Sequence, residues 1–352
     1  MWYTRQEIPS RTGIWFAGNS LGGFISNFLA YGVGHITHPL SAWQWLFIIL
    51  GVGTFFWAFV LIIMLPDSIQ GAKFLNEKEK RCCLQRVVIS GTGKTHSKIY
   101  WNQVVECLLD PKSLLCFSIS LLTQIPNSGV QNFGNLVLKG FGFTALQSTL
   151  VMSPASVITF LFIIITGWAA GHYKDIATYL VILCICFPVA GSAIIYANPS
   201  KGVKLFAYYL LSTGPAALPL VLSIVGVNYK GSTKKMTMTS LMFLAYCAGN
   251  IAGPHFFKAH EAPKYQTAFR TILICYALAI VVTILLRITL IIQNRRRDQA
   301  EGRAFIQTGD FDLDKRNASV TTAPVPVPDG HMSDSDEDEL TDLNTPGFRY
   351  KM

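Results

Sequence analysis

Charge is scarce in this chain. Only 14% of its 352 residues are charged, against about a quarter in an average soluble domain, while 51% are apolar. With a mean hydropathy of +0.38, this composition excludes a cytosolic enzyme, a nucleic-acid binder and a disordered scaffold. Acids are scarcest of all: residues 1–293 hold 8 of the 20, and none falls inside an apolar stretch. A buried ionisable group is the usual marker of a proton or ion path in a membrane. If protons move here, the carboxylate that carries them is outside this sequence. Among the bases only Arg287 sits deep in an apolar stretch, and it is close enough to the cytosolic end to snorkel. No run of Lys and Arg interleaved with aromatics suggests nucleic acid. The eight cysteines show neither zinc spacing nor a disulfide framework, although Cys82 and Cys83, in a polar loop, are open to palmitoylation. No Ser/His/Asp set or carboxylate pair supports an enzyme, and no cofactor motif is present. Gly91-Thr-Gly-Lys-Thr95 imitates a phosphate loop, but position 88 is Val where Gly is required, and no strand precedes it.

What the chain has is hydrophobic length. Eight stretches are long enough to cross a bilayer at about 20 residues each, near 12–35, 43–65, 113–138, 146–170, 176–197, 203–226, 238–257 and 268–292. The expected fold is an all-α integral membrane bundle of eight transmembrane helices. Placing the N-terminus inside puts 22 Lys and Arg in inside segments and 6 in outside loops, so the positive-inside rule predicts both termini in the cytosol. Met1 to Arg11 is polar, so no cleavable signal peptide is expected. The organisation reads as 1–65 with two spans, 66–112 as a charged inside loop, 113–293 with six spans, and 294–352 as a disordered cytosolic tail. In that tail, Ser333 and Ser335 stand among acids, and a kinase of acidic preference suits them equally with a plain solvated tail. The sequon at Asn317 falls on the cytosolic side and should stay bare.

The polar residues inside spans are the candidates for function. Gln124, Asn127, Ser128, Gln131 and Asn135 fall on one helical face. Amides in hydrocarbon must face protein or water, so this row is either a substrate-cavity wall or a set of helix-to-helix hydrogen bonds, with Asn127 and Gln131 leaning to the cavity. Asn19 and Asn27 in the first span, with Gly18, Gly22 and Gly23, divide between cavity lining and close packing. Tyr208 and Tyr209 precede Pro215 and Pro219 in a span expected to bend. Tyr246 and Asn250 are one turn apart in the seventh span. His255, near its outer end, reads as solvated.

Several segments together resemble one family. They are Trp2-Tyr-Thr-Arg5 with Trp15-Phe-Ala-Gly-Asn19, Leu65-Pro-Asp-Ser68, Ile125-Pro-Asn127, Asn132-Phe-Gly-Asn135 and Lys139-Gly-Phe-Gly-Phe143. The most specific run goes from Asn228 through Gly231-Ser-Thr-Lys-Lys235 to Ala245-Tyr-Cys-Ala-Gly-Asn-Ile-Ala-Gly-Pro254. In these the chain resembles the allantoate permeases, fungal anion:cation symporters of the major facilitator superfamily. The resemblance implies two six-helix halves rocking about a midplane site, with this chain holding family helices 5–12 and lacking helices 1–4. It implies proton-coupled uptake of a small organic anion such as allantoate, nicotinate, pantothenate or a similar carboxylate, at the plasma membrane. The cavity candidates are then Asn127, Gln131, Asn19, Tyr246 and Asn250, followed by Gln124, Asn135, Asn27 and Tyr208, with the Lys234–Lys235 segment as a gate or hinge. The alternative is a non-transporting membrane protein, such as a nutrient-sensor-like receptor or a truncated remnant.

Overall fold

A computed structural model describes residues 2–36, 38–89, 99–197, 200–261, 265–300, 341–345 and 348–352. The expectations for Ser333, Ser335, Asn317 and the Gly91–Thr95 loop lie outside these residues. The described residues are helical, with no strand among them. Helix α1 covers Ile8–Val33 and α2 covers Ala42–Met64. The 66–112 segment, expected as a loop, contains two short helices, α3 (Glu77–Ile89) and α4 (Trp101–Leu109). Six long crossings follow: α5 (Pro111–Gly140), α6 (Ala145–His172), α7 (Ala177–Tyr196), α8 (Lys201–Leu211) continued by α9 (Ala217–Asn228), α10 (Ser232–Ala252) and α11 (Gln266–Ala300).

Local chemistry sets these boundaries. Ser41 with Gln44 and Thr144 with Gln147 form capping boxes that start α2 and α6. Asp110 caps α5, accepting from the backbone N–H of Lys112, with Pro111 in the first turn. Gly214–Ala216 forms a 3-10 turn around Pro215 that separates α8 from α9, the expected bend. Gly231 starts α10 at a φ of +93°, which favours glycine, and a Cβ there would meet Gln103 Oε1 at 2.9 Å.

Five crossings are long and apolar enough to span a membrane by composition alone: 42–64, 146–172, 177–196, 201–228 and 266–299. The three that fall short, α1, α5 and α10, carry the polar residues discussed below. No residue of α2 is buried, and the helix is apolar on every side. Packing elsewhere depends on missing side chains. Gly13 of α1 faces Gly167 of α6, and a Cβ on Gly13 would meet the Gly167 Cα at 3.2 Å. Gly249 and Gly253 let α10 lie against the Gln124–Gly129 stretch of α5.

The tail departs from the expectation of uniform disorder. Helix α11 continues to Ala300, and residues 341–345 and 348–352 fold back onto the bundle. Asp342 is buried between Lys112 and Lys234, and Phe348 and Tyr350 join the main hydrophobic core. The tail's own residues therefore neutralise buried cations and fill apolar space, which a solvated segment cannot do. Arg5, near the N-terminus, donates to the Val227 carbonyl at 2.6 Å and to the Arg349 carbonyl. Both termini thus lie at one end of the bundle.

Candidate functional site

The three polar crossings converge on one cavity of about 440 Å³, within the range of small-molecule sites. Asn19 and Asn27 reach it from α1, Asn127 and Gln131 from α5, Tyr246 from α10 and Tyr208 from α8. Each lies in the half of its helix remote from the folded-back tail, or near the middle of the crossing, so the cavity occupies the half of the bundle away from that end. Asn19 and Gln131 remain accessible, which shows that the cavity is open.

Three expected members do not line it. Gln124 sits one turn nearer the tail end of α5, buried against Gly249. It acts indirectly, its Oε1 accepting from Asn127 Nδ2 at 3.0 Å. Asn250 turns back along its own helix, donating to the Tyr246 carbonyl, while its own carbonyl accepts from Ser128 Oγ at 2.9 Å. Asn135, one turn beyond Gln131, is exposed and lies outside the cavity lining. The polar row on α5 is therefore two things at once. Asn127 and Gln131 face the cavity, while Gln124 and Ser128 hold helices together.

Sequence reasoning missed other lining residues: Ser20, Ser156, Thr159, Ser212 and Tyr276. Ser156 and Thr159, three apart on α6, offered a faint signal. The Thr159 hydroxyl already donates to the Ala155 and Ser212 carbonyls, which fixes α6 beside the bend after α8. Tyr276 lies in the most uniformly apolar crossing and gave no periodic signal. Its hydroxyl fits against Gly214, and the Tyr208 hydroxyl against Gly134, positions where a Cβ would collide with the phenol.

None of the lining residues is an acid, a histidine, a lysine or an arginine. The wall is built from amides, hydroxyls and phenols set among Phe16, Val130, Met152 and Leu211. Such groups both donate and accept. They can bind a polar or anionic small molecule by hydrogen bonds without neutralising its charge. No group of three or more His, Cys, Asp or Glu is placed to hold a metal among the described residues.

A model of the Major Facilitator Superfamily matches residues 1–254. The chain belongs to the major facilitator superfamily. Its apolar crossings agree with that, and it is an integral membrane protein. Within the superfamily, an uncharacterized transporter of Schizosaccharomyces pombe is 32% identical over 100% of this chain and 65% of its own length. The allantoate permease of Saccharomyces cerevisiae is 30% identical over 100% of this chain and 62% of its own. A thiamine pathway transporter of the same yeast is 26% identical over 86% of this chain and 58% of its own. The chain spans less than two thirds of the length of these relatives.

Proposed function

We propose that this chain is a secondary transporter, or the larger part of one, and that it takes up a small organic anion together with protons. The observation that carries the reading is the cavity itself: an open, neutral, hydrogen-bonding chamber among the three polar crossings of a facilitator-superfamily bundle. Allantoate, nicotinate, pantothenate or a similar carboxylate suits a wall of amides and phenols. The similarity to an allantoate permease supports this class. Proton coupling rests on the resemblance to that family alone. Transport requires the ligand to bind the two states of the bundle unequally. The substrate residues are Asn127, Gln131, Asn19 and Tyr246, with Asn27 and Tyr208 at the margin.

The excess of basic residues at the end where the termini lie supports placing that end in the cytosol. The plasma membrane follows from the same resemblance. The test is uptake of radiolabelled allantoate, nicotinate and pantothenate into liposomes holding the purified chain, with and without an inward proton gradient. Saturable uptake of one of them, weakened by Asn127→Ala at equal protein incorporation, is expected. Uptake no faster than in empty liposomes for all three counts against transport by this chain.

A second reading, a membrane protein that senses or binds without transporting, is favoured by one observation. No residue lining the cavity can carry a coupling proton near neutral pH. Equilibrium binding of the same ligands without uptake would support it.

A further inference from the structure

Away from the cavity, the molecule contains a second built site, and its occupant is the chain's own C-terminus. Asn294 of α11 and Asn228 of α9 each read a backbone as an amide reads a peptide. Asn294 donates to the Tyr350 carbonyl and accepts from the Tyr350 N–H, both at 2.9 Å. Asn228 does the same to the adjoining Lys351, both at 2.7 Å. Arg297 donates to the carbonyls of Phe348 and Asp342 at 3.0 and 2.7 Å. These contacts fix ten described residues of irregular backbone with the regularity of a bound ligand.

The charges beneath are arranged to match. Lys112 and Lys234 are fully buried, a state that lysine adopts only when paired. The Asp342 carboxylate contacts both of their ammonium groups. Burial alone would raise its pKa, but the two ammoniums more than offset this and hold the carboxyl below its usual range. The Tyr350 hydroxyl donates to the same carboxylate at 2.8 Å and accepts from Lys112 and Arg297. Asp110 and Glu106 complete the set.

The occupant also bridges elements that must separate if this end opens. Phe348 lies under the Arg5 guanidinium at 4.3 Å. Arg5 in turn donates to the Val227 carbonyl at the end of α9, and Ile8 of α1 closes on Gly226. On the other flank the Met352 carbonyl accepts from the Ala177 N–H, and the Met352 N–H donates to Asp175. One short segment thus joins Arg5, just ahead of α1, to α5, α7, α9, α10 and α11 at the end opposite the cavity.

We propose that residues 341–345 and 348–352 form an intramolecular latch that holds the seam between α1 and α9 shut, and so favours the state in which the cavity is open only at the other end. The latch does not depend on the identity of the substrate. Two thiols report on it in the full chain in membranes. Native Cys107 is buried beside Lys112 and Lys234, and it reads undocking of the tail. The thiol introduced by Val227→Cys reads opening of the seam. Modification by a small maleimide, located by peptide mass spectrometry, is compared in Asp342→Asn and unaltered tails, with Cys184, buried within α7, as the marker of intact fold.

Asp342→Asn is expected to speed modification at both reporters about tenfold, because it removes a charged partner from two buried ammoniums, while Cys184 stays unmodified. Unchanged rates at both reporters would overturn the latch. A reactive Cys107 with an unchanged rate at position 227 would also overturn it, since the tail would then leave without loosening the seam. Should Asp342→Asn expose Cys184 as well, the milder Tyr350→Phe decides. A gain of about threefold at position 227 with Cys184 silent supports the latch, and no gain overturns it.

Discussion

The cavity and the opposite end are both polar regions inside an apolar bundle, and they are built from opposite materials. The cavity has no charged lining residue, and Asn19 and Gln131 keep amides accessible. The far end concentrates Lys112, Lys234, Asp110 and Asp342 out of contact with solvent, each held by a counter-charge. A buried ion pair contributes little net stability but penalises its own disruption heavily. An accessible amide costs little to keep and little to lose. The difference separates a surface made to exchange partners from one made to keep them.

The comparison breaks most sharply at Lys234. Lys234→Met takes the ammonium from Glu106 and leaves Asp110 and Asp342 to share Lys112, and should lower stability by about 3–5 kcal/mol, read as a fall in the unfolding temperature in detergent micelles. Next comes Gly253→Ala. Its methyl would strike the Ile125 carbonyl and approach the Gly129 nitrogen at 2.9 Å, so a loss of about 1–3 kcal/mol is expected. On the cavity side, Asn127→Ala and Tyr246→Phe should each weaken ligand affinity by about 1 kcal/mol, roughly fivefold. Tyr246→Phe should leave the unfolding temperature nearly unchanged, whereas Asn127→Ala should lower it, because the buried Gln124 Oε1 loses its donor. Isothermal titration beside a melting curve measures both. Asn135→Ala, outside the cavity, should alter neither.

The smallest expected effect concerns acid. A carboxylate whose folded pKa is depressed stabilises the folded form above its ordinary pKa, and that contribution is lost only as pH falls through the lowered value. Asp342 starts from an ordinary value of 3.8 and is shifted down. Protection of Cys107 from maleimide, corrected for the reagent's own pH dependence, should therefore be level from pH 8 to pH 5. A loss of protection within that range would point to a different group.

The crossings were legible because apolar length is a local property. The caps at Ser41, Thr144 and Asp110, which fix where α2, α6 and α5 begin, came only with the structure. Asn127 and Gln131 were legible as cavity candidates because amides at helical spacing in hydrocarbon have few other uses. Asn250 and Gln124 carried the same signature. Only the close approach of α10 to α5, permitted by Gly249, turns them into structural bonds. Tyr276 was silent because a lone phenol in an apolar run has no period. The buried ion network was hidden for a different reason. Lys112, Lys234 and Asp342 are distant in sequence and each sits in a polar stretch, so each alone reads as solvated. Asp342 belongs to a tail whose composition resembles disorder up to the residues that dock.

The meeting of Gly13 with Gly167 has one more consequence. Where two helices touch through bare backbone they come close enough for the Ser10 hydroxyl to donate to the Gly167 carbonyl at 3.3 Å and to fill the space beside Gly171. The α1–α6 contact is therefore a keyed joint. A single methyl at position 13 or 167 would wedge the two helices apart and pull that key from its slot.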